Sequence, residues 1–428
     1  MSEPIKYIDT NWDFRTDDTK ISNHGFHTYP AMMIPQIARR LIEMYGKNAK
    51  VLFDPFVGSG TSILEAKLHD NFEIAYGIDI NPLARLIAKV KATPIHQAIL
   101  VEETENLIQK CISDKEAASF GGFTVEKPTF RNIDFWFKAD VIIDLTIIKN
   151  NIEGISTENK ELQQDIIDFC KVAFSEVVRL CSNTRNSEFK LYRMSEKSLS
   201  KHNPNTISEF SKKLRSNVKK FEEFNQKAKK CKVVLLNEDT RERTSIPDHC
   251  VDIIVSSPPY GDSHTTVAYG QFSRLSLEFL GYEEKSVRRL DKVSLGGIPS
   301  KTAIPNLGSE SLSDTITTIK EKDIKRVQEV LSFYEDFNRC VIEIDRVMRK
   351  GGYICFVVGN RTVKGIKIPT DEIIVELFRS QNKYKHHKTI IRNIPNKRMP
   401  SKNSPTNVVG KLESTMNEEY IVILEKMS

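Results

Sequence analysis

VLFDPFVGSGTSILEAKLHDNFEIAYGIDINP, residues 51–82, reads as a short buried strand, a glycine turn, a helix, and a second strand ending in an acid. The apolar run VLFDPF breaks at Gly58 and Gly60, and SILEAKLH then takes up helical spacing. EIAYGIDI returns to a strand, and NPLARLIAKVKA begins another helix behind an Asn-Pro start. Strand, glycine loop, helix, strand, acid, helix is the opening of a doubly wound α/β nucleotide-binding domain.

The same rhythm extends outward from this stretch, with one long interruption. Upstream, Met33, Ile37, Leu41 and Ile42 recur at helical spacing, with Pro30 or Pro35 near the helix start, and the residues up to about Asp18 read as an extended polar arm. Downstream, residues 95–230 read as polar helices broken by two loop-like stretches, GGFTVEKPTFRN and CSNTRNSEFKLYRMSEKSLSKHNPNT. Strands resume with CKVVLLNED and VDIIVSSPPYG, the helix QFSRLSLEFLG follows, and residues 282–325 read as loop-rich. SFYEDFNRCVIEIDRVMRKGG is an amphipathic helix, YICFVVGN a strand, IPTDEIIVELFRSQ a helix, and KHHKTIIRNI and EEYIVILEK a closing antiparallel pair. The expected fold is α/β and Rossmann-like. Its sheet is mixed, mostly parallel and seven-stranded, with a helical insertion after the second strand and a ligand at the strands' carboxyl ends. The expected units are 1–94, which opens the catalytic domain; 95–230, the insertion; and 231–428, which completes the domain and carries the loop-rich segment 261–325.

Composition narrows the class. The 428 residues carry 63 Lys+Arg against 57 Asp+Glu, a net +6 too modest to indicate a nucleic-acid partner by itself. Seven cysteines, an odd number with no C-x-x-C pair, support neither a disulfide framework nor a zinc knuckle, so no metal is expected. The start lacks a basic, apolar leader, and no apolar run approaches the roughly 20 residues that span a bilayer. A cytoplasmic protein with no membrane partner is the expectation.

Two motifs carry chemistry. In DPFVGSGT, Asp54, Pro55, Phe56, Gly58, Gly60 and Thr61 lie at a strand-to-helix turn where a ligand can approach the backbone. The third glycine of G-x-G-x-x-G and the lysine of a P-loop are missing, so neither a dinucleotide nor a triphosphate is indicated. The acid before the glycines suits a cationic ligand such as a sulfonium or an amine. Asp79, 19 residues after Gly60, can accept from the hydroxyls of a ribose if Asn81 caps the helix that begins at Pro82. Asp239 closes the third strand, where it can reach an adenine amino group; Glu238 and a plain surface turn compete for that reading.

Ser257, Pro258, Pro259 and Tyr260 follow five residues of buried strand. Two prolines fix the backbone and remove two donors, leaving a rigid turn that displays acceptors. An exocyclic amine on an aromatic ring is a poor nucleophile, and acceptors placed around its nitrogen favour a tetrahedral geometry. Ser257 Oγ and the Pro258 carbonyl are the candidates, with Tyr260 as a stacking face for an extruded base. No Pro-Cys pair is present, which counts against carbon-5 methylation. A tight turn with a packing tyrosine remains the bland alternative for either motif alone.

Together, DPFVGSGT and SSPPYG resemble the amino-methyltransferases of bacterial restriction–modification systems. The resemblance covers roughly 20–95 and 230–428. It implies S-adenosyl-L-methionine as cofactor, with Asp54 and the Gly58–Gly60 turn facing its methionine part, Asp79 its ribose, and Asn81 and Pro82 its adenine. HTYPAMMIP, with His27, Tyr29, Pro30 and Ala31, resembles the family's further cofactor-contacting segment. Serine at the head of S-P-P-Y is commoner among the cytosine-N4 enzymes and aspartate among the adenine-N6 enzymes. The implied activity is site-specific methylation of cytosine N4 in double-stranded DNA. Adenine N6 is the alternative, and an RNA amine a more distant one.

A cognate restriction endonuclease is the implied genetic companion, and a monomer is expected. For DNA contact three segments compete. One is the basic helix with Lys212, Lys213, Arg215, Lys219, Lys220, Lys227, Lys229 and Lys230. Another holds Arg179, Arg185, Lys190, Tyr192 and Arg193. The third, after the PPY turn, carries His264, Thr265, Thr266 and Tyr269. A last basic loop, Arg392, Asn396, Lys397 and Arg398 with Lys402 beyond, would meet the phosphate beside the target base.

Overall fold

One eight-stranded sheet organises the chain. In chain order its strands are β1 (Lys6–Ile8), β2 (Val51–Asp54), β3 (Ile74–Ile78), β4 (Lys232–Leu236), β5 (Val251–Ser256), β6 (Met348–Val358), β7 (Tyr384–Asn393) and β8 (Glu418–Lys426). Across the sheet they run β1-β7-β8-β6-β5-β2-β3-β4. Only β8 is antiparallel to its neighbours. The computed structural model describes residues 5–122, 124–186, 188–262, 266–299, 307–395, 402–403, 413–414 and 416–428. Among these, the helices of eight residues or more are α1 (Pro35–Tyr45), α2 (Thr61–Leu68), α3 (Pro82–Ala92), α4 (Gln97–Ser119), α5 (Ala139–Glu153), α6 (Lys160–Cys181), α7 (Thr206–Lys227), α8 (Tyr269–Phe279), α9 (Glu284–Val293), α10 (Glu310–Lys320), α11 (Ile324–Val347) and α12 (Thr370–Arg379). No described helix is long and apolar enough to cross a membrane.

All seven strands read from the sequence are present, and β1 adds an eighth at the edge. Its three residues, KYI, have no buried position and join β7 through backbone pairing, Lys6 to Thr389 through Ile8 to Ile391. No apolar alternation marks such a strand, so its sequence reads as an arm. Residues 282–299 and 307–325 are also more ordered than their composition indicates. Two short helices lie there, α9 resting on Val287 and Leu290, and α10 on Leu312, Ile316 and Ile319 behind a Ser309 cap. Two or three buried apolar side chains per helix are too sparse a period to stand out among glycines and charges.

Strand alternation feeds two faces. Phe53, Ile254 and Phe356 pack with α11 and α12 on one side. Leu52, Ile253, Val255 and Cys355 pack with α1 and α2 on the other. Central β5 is buried at all six positions; four are apolar, and the two polar ones bond to neighbouring residues, Asp252 accepting from the Lys50 and Val51 N–H groups and Ser256 donating to Asp54.

The helices of residues 97–227 build a third core, and they build it on α3 and α8 beside the sheet. Phe169 of α6 and Phe221 of α7 meet Leu83 and Ile87 of α3 and Phe272 and Phe279 of α8 in one cluster. The seam of α7 is wider than Leu214, Val218 and Phe221, since Ile207, Phe210 and Phe224 are buried too. Most of its cations serve the protein itself. Lys212 pairs with Glu209, Lys213 with Glu176, Arg215 with Glu105, Lys227 with Glu223, and Lys229 beyond the helix with Asp70. Lys220 donates to the Gly25 carbonyl. That pattern favours a structural helix over a phosphate-binding face.

Gly60 joins the glycine loop to α2 in the left-handed region, at φ +83°, and a Cβ there would lie 2.8 Å from Ala88 of α3. Gly60→Ala should therefore lower unfolding free energy by about 3 kcal/mol, from the backbone penalty and the helix–helix clash together. Urea denaturation checks this, and a wild-type midpoint would remove the close-packing account.

Candidate active site

The chain leaves β2 towards β3 and β4 on one side and returns as β5 on the other. The carboxyl ends of β2 and β5 thus flank the point where strand order reverses, the usual place for a ligand in such a sheet. A cavity lies there. Of the residues read from the motifs, Tyr29, Pro30, Asp54, Pro55, Phe56, Gly58, Thr61, Asp79, Asn81, Asp239, Ser257 and Pro259 line it. Gly60 and Pro82 sit just behind the wall, where they start α2 and α3.

Two buried carboxylates face this space. Asp54 Oδ1 accepts from Ser256 Oγ at 2.5 Å, across the β2–β5 boundary, and from the Phe56 N–H at 3.1 Å. Burial raises its carboxyl from the ordinary 3.8 to about 6, against the pull of those hydrogen bonds, and the nearby charge of Asp79 adds to the rise. Asp79 accepts from the Gly58 N–H at 3.0 Å and from the Asn81 N–H at 2.8 Å. Burial raises it likewise to about 6. The glycine loop is thus tied to the acid at the end of the next strand, and Gly58 holds the turn at φ +47°.

Asn81 caps α3, its Oδ1 accepting from the Leu83 N–H at 3.0 Å, and Pro82 takes the first helical position. Its Nδ2 donates to Tyr29 Oη at 3.1 Å and to Ser273 Oγ at 2.8 Å. The Tyr29 ring stacks on Tyr269, with centroids 5.9 Å apart, and meets the edge of Phe272. Tyr269 is therefore part of the cavity wall. Thr61 Oγ1 donates to the Met33 carbonyl at 3.2 Å, which draws the HTYPAMMIP segment over the loop. His27 of that segment is buried, beside Phe272.

Asp239 lines the cavity, yet Arg241 holds its carboxylate through both oxygens, at 2.6–3.1 Å. Burial acts to raise this carboxyl, and the Arg241 bonds and charge outweigh it and keep it below its ordinary value. Glu238 accepts from the Ser245 N–H. Thr240 Oγ1, not singled out by the motifs, donates to the Pro55 carbonyl at 2.9 Å and ties the end of β4 to the glycine loop.

The S-P-P-Y turn alternates like an extended strand. Ser257, Pro259 and Gly261 face the cavity; Pro258 and Tyr260 are absent from its lining. The Tyr260 ring lies beside Gly359 at the end of β6, where a Cβ would come within 2.8 Å of Cδ2. Its hydroxyl lies 3.3 Å from Ser257 Oγ and donates to Glu419 Oε1 of β8 at 3.2 Å. Burial first, then the Glu419 charge, holds this phenol well above its ordinary pKa.

Several expected DNA contacts are relocated. Arg392 is buried in β7, pairs with Glu419 and donates to the Trp12 and Asp13 carbonyls. It belongs to the interior and to no phosphate surface. Arg179 is buried over the Phe272 ring at 4.6 Å. His264, Thr265, Asn396, Lys397 and Arg398 lie outside the described residues, and Lys402 is described only as backbone paired with Ser414.

A sequence profile of the DNA methylase family, covering its N6 and N4 members, matches residues 3–89, the span that holds Tyr29, the glycine loop and Asp79. The fold and cavity are thus those of an amino-methylating DNA methylase. Over 99% of its length the chain is 42% identical to the type II methyltransferase M.MvaI of Kocuria varians, covering 96% of that protein. A 68-residue stretch, 16% of the chain, is 37% identical to 12% of the type II methyltransferase M.MjaII of Methanocaldococcus jannaschii. The chain belongs to this family and is a DNA methyltransferase.

Family membership implies S-adenosyl-L-methionine as the methyl donor, and the site fits it: two buried carboxylates at about 6 await a positive charge. In the free protein these groups oppose folding as pH rises from 3.8 towards about 6, because folding raises both pKa values. A sulfonium beside them favours their ionised forms. Cofactor affinity should therefore rise between about pH 5 and about pH 7, by at most about tenfold per unit for each carboxylate involved, and then level off. Calorimetric titration at several pH values checks this; a flat profile would remove the cation–carboxylate contact.

Proposed function

We propose that this methyltransferase modifies the exocyclic N4 of cytosine at a specific site in double-stranded DNA, as the methylating partner of a restriction endonuclease. The carrying observation is that Ser257 and Pro259 of S-P-P-Y face the same cavity as Asp54 and Asp79. S-adenosyl-L-methionine supplies an electrophilic methyl on a sulfonium and leaves as a neutral thioether. Asp54 and Asp79 would hold its cationic end and ribose, and the Tyr29 wall its adenine. Asp239 lines the cavity beside them, but Arg241 already occupies both of its oxygens, so it would reach the adenine amine only by giving up part of that clamp.

The flipped base would enter beside the S-P-P-Y turn. Ser257 Oγ and the Pro258 carbonyl would accept the two amine protons. That holds the nitrogen lone pair towards the methyl carbon, so that catalysis rests on orientation and fixed dipoles. As the new N–C bond forms the methyl–sulfur bond breaks, and the extra proton on the nitrogen passes to solvent water. Tyr260 would stack on the base. Serine at the head of the turn, commoner in the cytosine-N4 branch, is the ground for placing the target there.

The 182–195 segment is the proposed DNA reader within the helical insertion. Within it Thr184 and Arg193 form an antiparallel bridge, and it is tied to α8 by the Leu191 N–H on Gln271 and by Arg179, which donates to the Glu188 carbonyl and lies over the Phe272 ring. Tyr192 and Phe189 are exposed there beside Arg185. We expect the enzyme to act as a monomer.

Digestion of DNA labelled by the enzyme, with mass spectrometry of the nucleosides, should give N4-methyldeoxycytidine. N6-methyldeoxyadenosine would keep the chemistry and overturn the base; label only in RNA would overturn the substrate. Arg185→Ala combined with Tyr192→Ala should weaken DNA binding by about tenfold and flatten its salt dependence, with cofactor affinity unchanged. Wild-type DNA binding would place the reader elsewhere.

A further inference from the structure

We infer that Glu419 is a positioning residue that sets the direction of the Ser257–Tyr260 hydrogen bond, and so makes Ser257 an acceptor towards the target amine. The inference rests on the reading of Ser257 given above. A carboxylate can only accept, so the single hydroxyl proton of Tyr260 goes to Glu419 Oε1, at 3.2 Å. Tyr260 Oη is then left with lone pairs towards Ser257 Oγ, 3.3 Å away. The Ser257 proton must therefore be the one in that contact. With its proton directed at Tyr260, Ser257 Oγ presents only lone pairs to the cavity it lines. An unguided serine hydroxyl can equally point its proton at the base, where it opposes the amine protons.

Glu419 is well placed for this role because it cannot turn away. Its other oxygen is paired with Arg392, which is buried. Arg392 is held in turn by the Trp12 carbonyl at 2.7 Å and the Asp13 carbonyl at 3.1 Å. Asp13 is itself buried and accepts from the Asn393 backbone at 2.8 Å. The chain of contacts runs from the N-terminal segment through β7 and β8 to the base-facing turn. Ser257 and Tyr260 belong to the site already described; among the described residues, Glu419 touches it only through the phenol.

The test is single-turnover methylation with the full-length protein, saturating S-adenosyl-L-methionine and duplex DNA, comparing wild type, Glu419→Gln, Tyr260→Phe and the double variant. A glutamine can donate its amide to the phenol and reverse the chain, and a phenylalanine removes the relay. Each single change should slow methyl transfer by about tenfold. The double variant should be no slower than Tyr260→Phe, and cofactor affinity should be unchanged throughout. Multiplying effects in the double variant, or a wild-type rate in Glu419→Gln, would overturn the inference. Should Glu419→Gln not fold, Tyr260→Phe alone still decides: a wild-type rate shows that the hydroxyl directs nothing. Wild-type protein that yields no methylated base would sink the functional reading and this inference together. Normal product with independent effects would sink only the inference.

Discussion

Two carboxylates are kept out of water at the ends of neighbouring parallel strands, and the site takes its form from that. Asp54 and Asp79 each accept hydrogen bonds, and Arg85 lies near Asp79, yet burial outweighs both and the two carboxyls sit near 6. Such an arrangement is costly in isolation and persists only where the surroundings fix it. The glycine loop supplies one donor, the start of α3 another and Ser256 a third. The loop conformation, the helix cap and the contact between β2 and β5 are thus parts of one solution, and what it leaves open is a place for positive charge.

Most of the sheet was legible because buried parallel strands flanked by helices leave unmistakable runs, as in VDIIVS and YICFVV. Lys6–Ile8 was not, since a three-residue edge strand is held by backbone alone. The motif residues were legible for a related reason: glycines and prolines act through the backbone, and their effect is local. Asp54, Asp79 and Ser257 face one cavity.

Illegible were the partners from distant elements. Arg241 saturating Asp239, Tyr269 against Tyr29, and Glu419 beneath Tyr260 depend on how remote strands register, and register leaves no mark at the residue itself. Charge proved the least reliable signal. Arg179 and Arg392 read as surface cations and are interior, one over an aromatic ring and the other paired with a carboxylate and two carbonyls. Composition cannot separate a cation that meets solvent from one that anchors a strand.

The helices of residues 97–227 close over α3 and α8 in one continuous core, and α8 carries the tyrosine that stacks in the cavity wall. This has a consequence for how such an enzyme can change its target. A reader attached by a linker can be traded between relatives as a cassette, because few contacts cross the join. Here the join packs Phe169 and Phe221 against Leu83, Ile87, Phe272 and Phe279, so exchanging the whole insertion would also disturb the Tyr29–Tyr269 wall of the cavity. If the insertion reads DNA as proposed, variation in specificity should accumulate by small changes at exposed loop tips, while the helices beneath them are inherited together with the sheet they pack on.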